Sequence, residues 1–456
     1  MNYAEFLKTK EVESISAGFT VSPEEINEKL FPFQRVIVSW ALQKGRAAIF
    51  SDCGTGKSGM QLEFANQVVK HTGGKALVVA PLAVVKQTQR EGVKFGIETT
   101  VCRTQEDVRD GINIVNYEML EHIEADAFDC VVLDESSILK SFTSSTRNLL
   151  IDMFQHTPYR LCCSATPAPN DHSELGNTAE FLGIMSRSEM LATYFIHDGS
   201  DTSKWRLKGY GEKKFWEWVA TWAVCVRTPA DLGYDSTGYE LPPLNIIEHI
   251  VESEPDEGSF IATRAETLAE RREARKASMF DRIDMARELT EQGGQWLVWC
   301  DYNSESETLH KCIANSVEVV GSDSPEYKAE TAVDFADGKI DVLVSKPAIY
   351  GYGMNFQNIH QMIFCGISDS YEAFYQAVRR CWRYGQNDPV DVHIITSQKE
   401  LNVLDNIKRK QAQMDQMQNN MVALMHDVTM SEIKHTTRIV DEYKPTQKME
   451  VLGWIA

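Results

Sequence analysis

The string Ser51-Asp52-Cys53-Gly54-Thr55-Gly56-Lys57-Ser58 has the residue types needed to cradle a polyphosphate. It lies between a short apolar run, Ala47-Ala48-Ile49-Phe50, and a helix-forming stretch, Gly59-Met60-Gln61-Leu62-Glu63-Phe64. Glycines let backbone N–H groups turn inward, and the following helix N-terminus adds its positive end. Lys57 can then reach the outer phosphates while the Ser58 hydroxyl holds Mg²⁺. Cys53, Gly54, Thr55, Gly56, Lys57 and Ser58 are therefore the expected binding residues for ATP. The general form of such a loop opens on glycine, and this chain has Ser51 there. A second element, Val131-Val132-Leu133-Asp134-Glu135, delivers two carboxylates at the end of an apolar run. Hydrolysis of a γ-phosphate divides labour between such a pair. Asp134 is expected to hold Mg²⁺ through water and Glu135 to polarise the attacking water.

Loops of this kind need strands to hold them, and the apolar pattern supplies these. Runs at 47–50, 76–79, 112–115, 130–133 and 160–163 read as five buried strands alternating with helix-like stretches, the mark of parallel α/β units. Strand-like runs resume at 296–299, 317–320, 342–344, 362–365 and 392–395. The expected fold class is α/β, with two RecA-like parallel-sheet lobes, a helical insertion and a C-terminal helical segment. The first lobe is expected over 1–245, with the insertion at about 171–240, and the second over 246–400. A helical brace and tail are expected over 401–456, with apolar positions Leu404, Ile407, Met414, Met417, Met421 and Leu424. Pro242 and Pro243 in series forbid helix and mark an extended linker. Residues 259–293 should be helical, with Arg271-Arg272-Glu273-Ala274-Arg275-Lys276 as a solvated face.

At 456 residues the chain exceeds one ordinary core, and its 43% hydrophobic and 25% charged composition suits two folded cores rather than disorder. The ten cysteines form no CxxC pair or zinc spacing and read as reduced core residues. With no run of 18 apolar residues and no secretion-signal layout at Met1-Asn2-Tyr3-Ala4-Glu5, the expected site of action is the cytoplasm, away from membranes. A net charge of −20 excludes a uniformly basic surface, so a polyanion must meet a local basic track.

Taken together, the glycine-rich loop and the Asp-Glu pair resemble those of the superfamily 2 helicases, and further motifs of that family stand in order. Phe33-Gln34 resembles the adenine-reading glutamine, which implies that Gln34 binds the nucleotide. Ala80-Pro81-Leu82 resembles the motif whose backbone meets a nucleic-acid strand, and Ser164-Ala165-Thr166-Pro167 the motif that couples this strand to the ATP site. Val344-Ser345-Lys346 and Gly351-Tyr352-Gly353-Met354-Asn355 are similar to the fifth helicase motif. Residues 376–386, Gln-Ala-Val-Arg-Arg-Cys-Trp-Arg-Tyr-Gly-Gln, look like the sixth in the form used by Swi/Snf DNA translocases. The segments Trp222–Arg227 and Tyr239–Pro243 resemble that group's bridge between lobes, whereas Ser164-Ala165-Thr166 is the general helicase form.

The resemblance implies an ATP-dependent DNA translocase or helicase of compact prokaryotic or phage type, serving replication, repair or recombination. Its nucleotide site adds Gly353 and Gln376, and Arg380 and Arg383, three apart on one helix face, reach the γ-phosphate from the second lobe. Pro81, Ser164, Ala165, Thr166, Ser345 and Lys346 are the expected strand-contact and coupling residues, with duplex or branched DNA as partner. An RNA helicase and the ATPase subunit of a larger restriction or defence complex share nearly all of these ATP-site features. Phe215, Trp218 and Trp222 recur at helical spacing and read as a packed face. Trp216 falls off that stripe and is the freer candidate for stacking a base.

Overall fold

The computed structural model of the chain describes residues 18–433 apart from Phe142, 198–204, 254–263, Glu266 and 352–354. Gly353 and the expected tail beyond residue 433 thus lie outside the described residues, as does the side chain of Leu424.

Apolar runs become strands buried on both faces. The first six are β1 (Arg46–Ser51), β2 (Lys75–Ala80), β3 (Thr99–Val101), β4 (Gly111–Asn116), β5 (Cys130–Asp134) and β6 (Tyr159–Ser164). An antiparallel ribbon, β7 (Phe195–His197) with β8 (Trp205–Leu207), precedes β9 (Ala223–Val226). All but the ribbon form one parallel sheet in the order β3-β4-β2-β5-β6-β1-β9. Neighbours along a strand point to opposite faces, so Ala48, Phe50, Val131 and Leu133 enter one core while Ala47, Ile49, Cys130 and Val132 enter the other. Helices on both sides make this burial possible, and it is why the runs read as continuous rather than alternating.

A second parallel sheet follows, built from β10 (Leu244–Val251), β11 (Trp296–Trp299), β12 (Ser316–Glu318), β13 (Val342–Ser345), β14 (Gln361–Cys365) and β15 (Val390–Ser397). Its order is β10-β15-β14-β11-β13-β12. The chain is therefore α/β with two parallel-sheet lobes. Strands β3, β9 and β10 lie at sheet edges and escape the sequence pattern. One flank of an edge strand lacks a partner, so β10 tolerates Asn245, Glu248 and His249 among its apolar residues.

Two sequence expectations are corrected by packing. Trp216 is not free to stack a base: it is fully buried, with its ring 4.9 Å from Phe215 and 5.2 Å from His172. Helix Glu212–Ala220 is covered on both sides because helix Leu401–Ile433, leaving the second sheet, returns to pack Met414, Met417 and Met421 into the same core. Nor is Arg271–Lys276 wholly a solvated face. Arg275 is buried and, with Arg282, brackets Glu305 at 3.0 and 2.9 Å. Burial alone would raise the Glu305 carboxyl, but the two guanidinium groups outweigh it and hold it below its usual range.

The cysteines are free, most of them buried, and among the described residues no helix is long and apolar enough to cross a membrane.

Candidate nucleotide site at the seam of the two sheets

Strands β5, β6 and β1 are neighbours, so their carboxyl ends bring Asp134, Ser164 and Ser51 to one edge, where ligands of open α/β sheets lie. The loop after β1 turns at Gly54 (φ 88°) and Gly56 (φ 83°), a backbone region that strains any other residue. Space is also closed there. A Cβ on Gly56 would sit 2.2 Å from Gln34 Nε2, and one on Gly54 would sit 3.0 Å from Tyr384 Cβ.

Thr55 is buried and braces the loop, its hydroxyl lying 2.9 Å from Ser51 Oγ and donating to Asp52 O at 2.7 Å. That contact gives Ser51 a use at the place where the general pattern has glycine. Lys57 Nζ donates to Ser51 O at 2.8 Å and Asp52 O at 3.2 Å, so the ammonium lies against the mouth of the loop. Gln34 is buried beside it, donating from Nε2 to Thr55 O at 2.7 Å and accepting from Phe31 N–H at 2.8 Å.

The two carboxylates occupy different environments. Asp134 Oδ1 accepts from Gln61 Nε2 at 2.7 Å and from Glu135 N–H at 3.1 Å, which fixes its orientation. Glu135 adopts a left-handed conformation (φ 51°), unusual for a side chain of its size, and its Oε2 is buried without a hydrogen-bond partner. Such strain persists only where the surroundings over-determine it, and it clusters at working sites. Burial raises both carboxyls. Glu135 reaches about 7, with Lys57 opposing the rise and Asp134 adding to it.

A base with that pKa loses its proton near neutrality, so kcat/KM for ATP should climb as pH rises through about 7. Below that limb Glu135 is protonated and cannot accept a proton. The residual turnover of Glu135→Gln should lack the limb, and wild-type turnover in Glu135→Gln would exclude Glu135 as the base.

The second sheet contributes the opposite wall. Helix Tyr371–Val378 stops before the arginines, which lie in the following turns, where Arg380 N–H bonds to Ala377 O at 3.2 Å and Trp382 N–H to Val378 O at 3.0 Å. Arg380 and Arg383 therefore do not share a helix face, as their spacing suggested. Both nonetheless line one cleft of about 730 Å³ with Gly54, Gly56, Lys57, Ser58, Asp134 and Glu135. Burial, and then the nearby Arg380 charge, pull the Arg383 guanidinium down to about 10. Two cations crowded in this way favour an anion between the walls.

Gln376, expected at the nucleotide, is instead buried behind the wall. Its backbone oxygen accepts from Arg380 Nε at 2.9 Å and its Oε1 from Arg380 Nη2 at 3.1 Å, so it orients that guanidinium. At the other end, Phe31, Tyr239 and Tyr384 supply aromatic walls, with the two tyrosine rings 4.7 Å apart.

Contacts invisible in the sequence cross the seam. Arg379 pairs with Asp52, Tyr375 Oη donates to Asp52 Oδ1 at 2.5 Å, and Glu372 accepts from Ser137 Oγ at 2.7 Å and pairs with Lys140. The available signal was the first arginine of the run, Arg379, and the acid inside the glycine-rich loop, Asp52.

The expected strand-contact residues divide in two. Ser164, Ala165, Thr166 and Ser345 are buried, so in this arrangement their side chains offer no surface to a strand. Thr166 N–H bonds to Ser164 Oγ at 3.0 Å, and Ala165 O accepts from Gln418 Nε2 at 3.3 Å, so this loop touches the long C-terminal helix. Pro81 and Lys346 are partly exposed, and Leu82 beside Pro81 is open to solvent.

Two family models match the chain. The SNF2-related domain matches residues 33–195, which carry the glycine-rich loop and the carboxylates, and the helicase conserved C-terminal domain matches residues 277–385, which carry the arginines. The solved structure of the Sulfolobus solfataricus SWI2/SNF2 ATPase core in complex with dsDNA is similar at 16% identity, covering 91% of this chain and 99% of that chain with a TM-score of 0.43. No curated protein matches.

Proposed function

This chain belongs to the Swi/Snf-like group of superfamily 2 helicases, and we propose that it hydrolyses ATP in the seam between its lobes to drive movement along DNA. One observation carries the reading: Lys57 and Glu135 from the first lobe and Arg380 and Arg383 from the second line the same cleft.

Lys57 leaves the carbonyls of Ser51 and Asp52 for the outer phosphates, a short swing because those carbonyls form the mouth of the loop. Arg380 and Arg383 neutralise charge on the transferred phosphoryl group, and Glu135 takes the proton of the attacking water. Gln34 and the aromatic walls are placed to hold the base. The donor set fits Mg²⁺, which prefers few protein ligands: Ser58 Oγ and, through water, Asp134 would hold it, and it would neutralise the β- and γ-phosphates. Every charged group needed is present only while the lobes face each other, so hydrolysis and phosphate release change the force between them.

Duplex DNA is the proposed track, in replication, repair or recombination. The match of residues 33–195 to the SNF2-related domain supports DNA over RNA. Phosphate contacts near Pro81 and Lys346 would be sequence-tolerant. With a net charge of −20, binding must rest on a few local cations and fall steeply with salt. A site touching about six phosphates loses roughly a thousandfold in affinity between about 50 and 200 mM salt. The test compares ATP turnover with single-stranded, duplex and branched DNA and with RNA across that salt range. Duplex stimulation that fades steeply with salt is expected, and stimulation by RNA alone would replace the DNA reading.

A further inference from the structure

Arg379 is the member of the arginine run that does not face the cleft. Its guanidinium pairs with Asp52 Oδ2 of the phosphate loop and lies 4.3 Å over the ring of Trp382 and 5.2 Å from that of Tyr375. Tyr375 Oη and Cys53 N–H both donate to the other carboxylate oxygen, at 2.5 and 2.7 Å, so Asp52 is engaged from both lobes.

Asp52 is a junction within the loop. Its N–H bonds to Val226 O of β9 at 3.1 Å, and its carbonyl accepts from Thr55 Oγ1 at 2.7 Å and from Lys57 Nζ at 3.2 Å. Trp382, on which Arg379 lies, donates from Nε1 to Pro242 O at 2.7 Å, tying the turn to the interlobe linker. Both partners are largely buried, with side-chain exposures of 8% for Arg379 and 14% for Asp52, so solvent does little to screen the pair.

We infer that Arg379 is a positioning residue for ATP hydrolysis: its pair with Asp52, backed by Tyr375, sets the register of the second lobe's arginines against the phosphate loop. The inference rests on the ATPase reading and deepens it. Neighbouring arginines then divide the work, with Arg379 holding the loop by its side chain while Arg380 and Arg383, on the same turn, project into the cleft. Because Arg379 touches no nucleotide, its loss should misplace charge in the transition state and leave ground-state binding intact.

The test measures steady-state ATP turnover and backbone hydrogen exchange for Arg379→Gln, Arg379→Lys, Asp52→Asn and the Arg379→Gln/Asp52→Asn double variant. Arg379→Gln should lower kcat about tenfold or more with KM held within about twofold, and Arg379→Lys should recover most of the loss. The double variant should be no worse than the weaker single one, since both remove one interaction. Exchange at residues 52–58 should quicken in the nucleotide-free single variants. If Arg379→Gln does not fold, Asp52→Asn reads the same pair. Wild-type kcat in both single variants, losses that multiply in the double variant, or unchanged exchange at the loop would each overturn the pin. Absence of turnover in the wild-type protein would instead sink the ATPase reading, and the exchange arm would still decide the pin.

Discussion

Arg383→Ala is expected to lower ATP turnover by about 10³- to 10⁵-fold, or roughly 4–7 kcal/mol of transition-state stabilisation. The size follows from where the guanidinium sits. It shares the cleft with Lys57 and Glu135, where burial first and the nearby Arg380 charge second pull the Arg383 guanidinium down to about 10. A pair of neighbouring cations gains most when the charge spreading over a departing phosphoryl group arrives between them. Alanine removes that gain without touching the phosphate loop, so KM for ATP should change far less than kcat. Arg380→Ala should act similarly, because Gln376 holds its guanidinium from behind. Steady-state turnover at saturating duplex DNA is the readout, and loss of less than about tenfold in both variants would place the arginines outside the reaction.

Lys57→Ala should cost about 10²- to 10³-fold in kcat and, unlike the arginine variants, also weaken nucleotide binding. Lys57 follows directly on Gly56, and its ammonium already lies at the loop mouth, 2.8 Å from Ser51 O. It therefore meets phosphate in the ground state as well as in the transition state. Its side chain is only half-buried, so melting temperature should stay close to wild type. Parallel losses in kcat and in affinity for a fluorescent ATP analogue are expected. Unchanged affinity would assign the loop to something other than phosphate.

The parts legible from sequence share a physical property: each is encoded by residues adjacent in the chain. Val131, Val132 and Leu133 form a buried parallel strand because both faces are covered, and the continuous apolar run says as much. Gly54 and Gly56 mark a tight loop because positive φ is costly elsewhere. What escaped depends on residues far apart. Strand β10 gave no strand-like run because an edge strand needs no clean apolar pattern. Trp216 looked free because its covering helix, Leu401–Ile433, comes about 200 residues later. The arginine spacing suggested a continued helix, but nothing local announced that helix Tyr371–Val378 would stop before Arg380. Asp52 and Arg379 are individually ordinary, and only the docking of two lobes makes them partners.

The same distinction separates the two uses of the glutamines. Gln34 lies beside the loop, held by Thr55 O and Phe31 N–H. Gln376 sits behind Arg380, a support role that a motif letter cannot convey.

A γ-phosphate gripped from both lobes at once is read most directly in the affinity of ADP with and without aluminium fluoride, a mimic of the transferring phosphoryl group. In the wild-type protein with Mg²⁺, the mimic should tighten ADP binding by at least a hundredfold. Arg380→Ala and Arg383→Ala should abolish that gain while leaving the affinity for ADP alone unchanged. Equal tightening in wild type and both arginine variants would contradict the account, because the second lobe would then contribute nothing to the transition state.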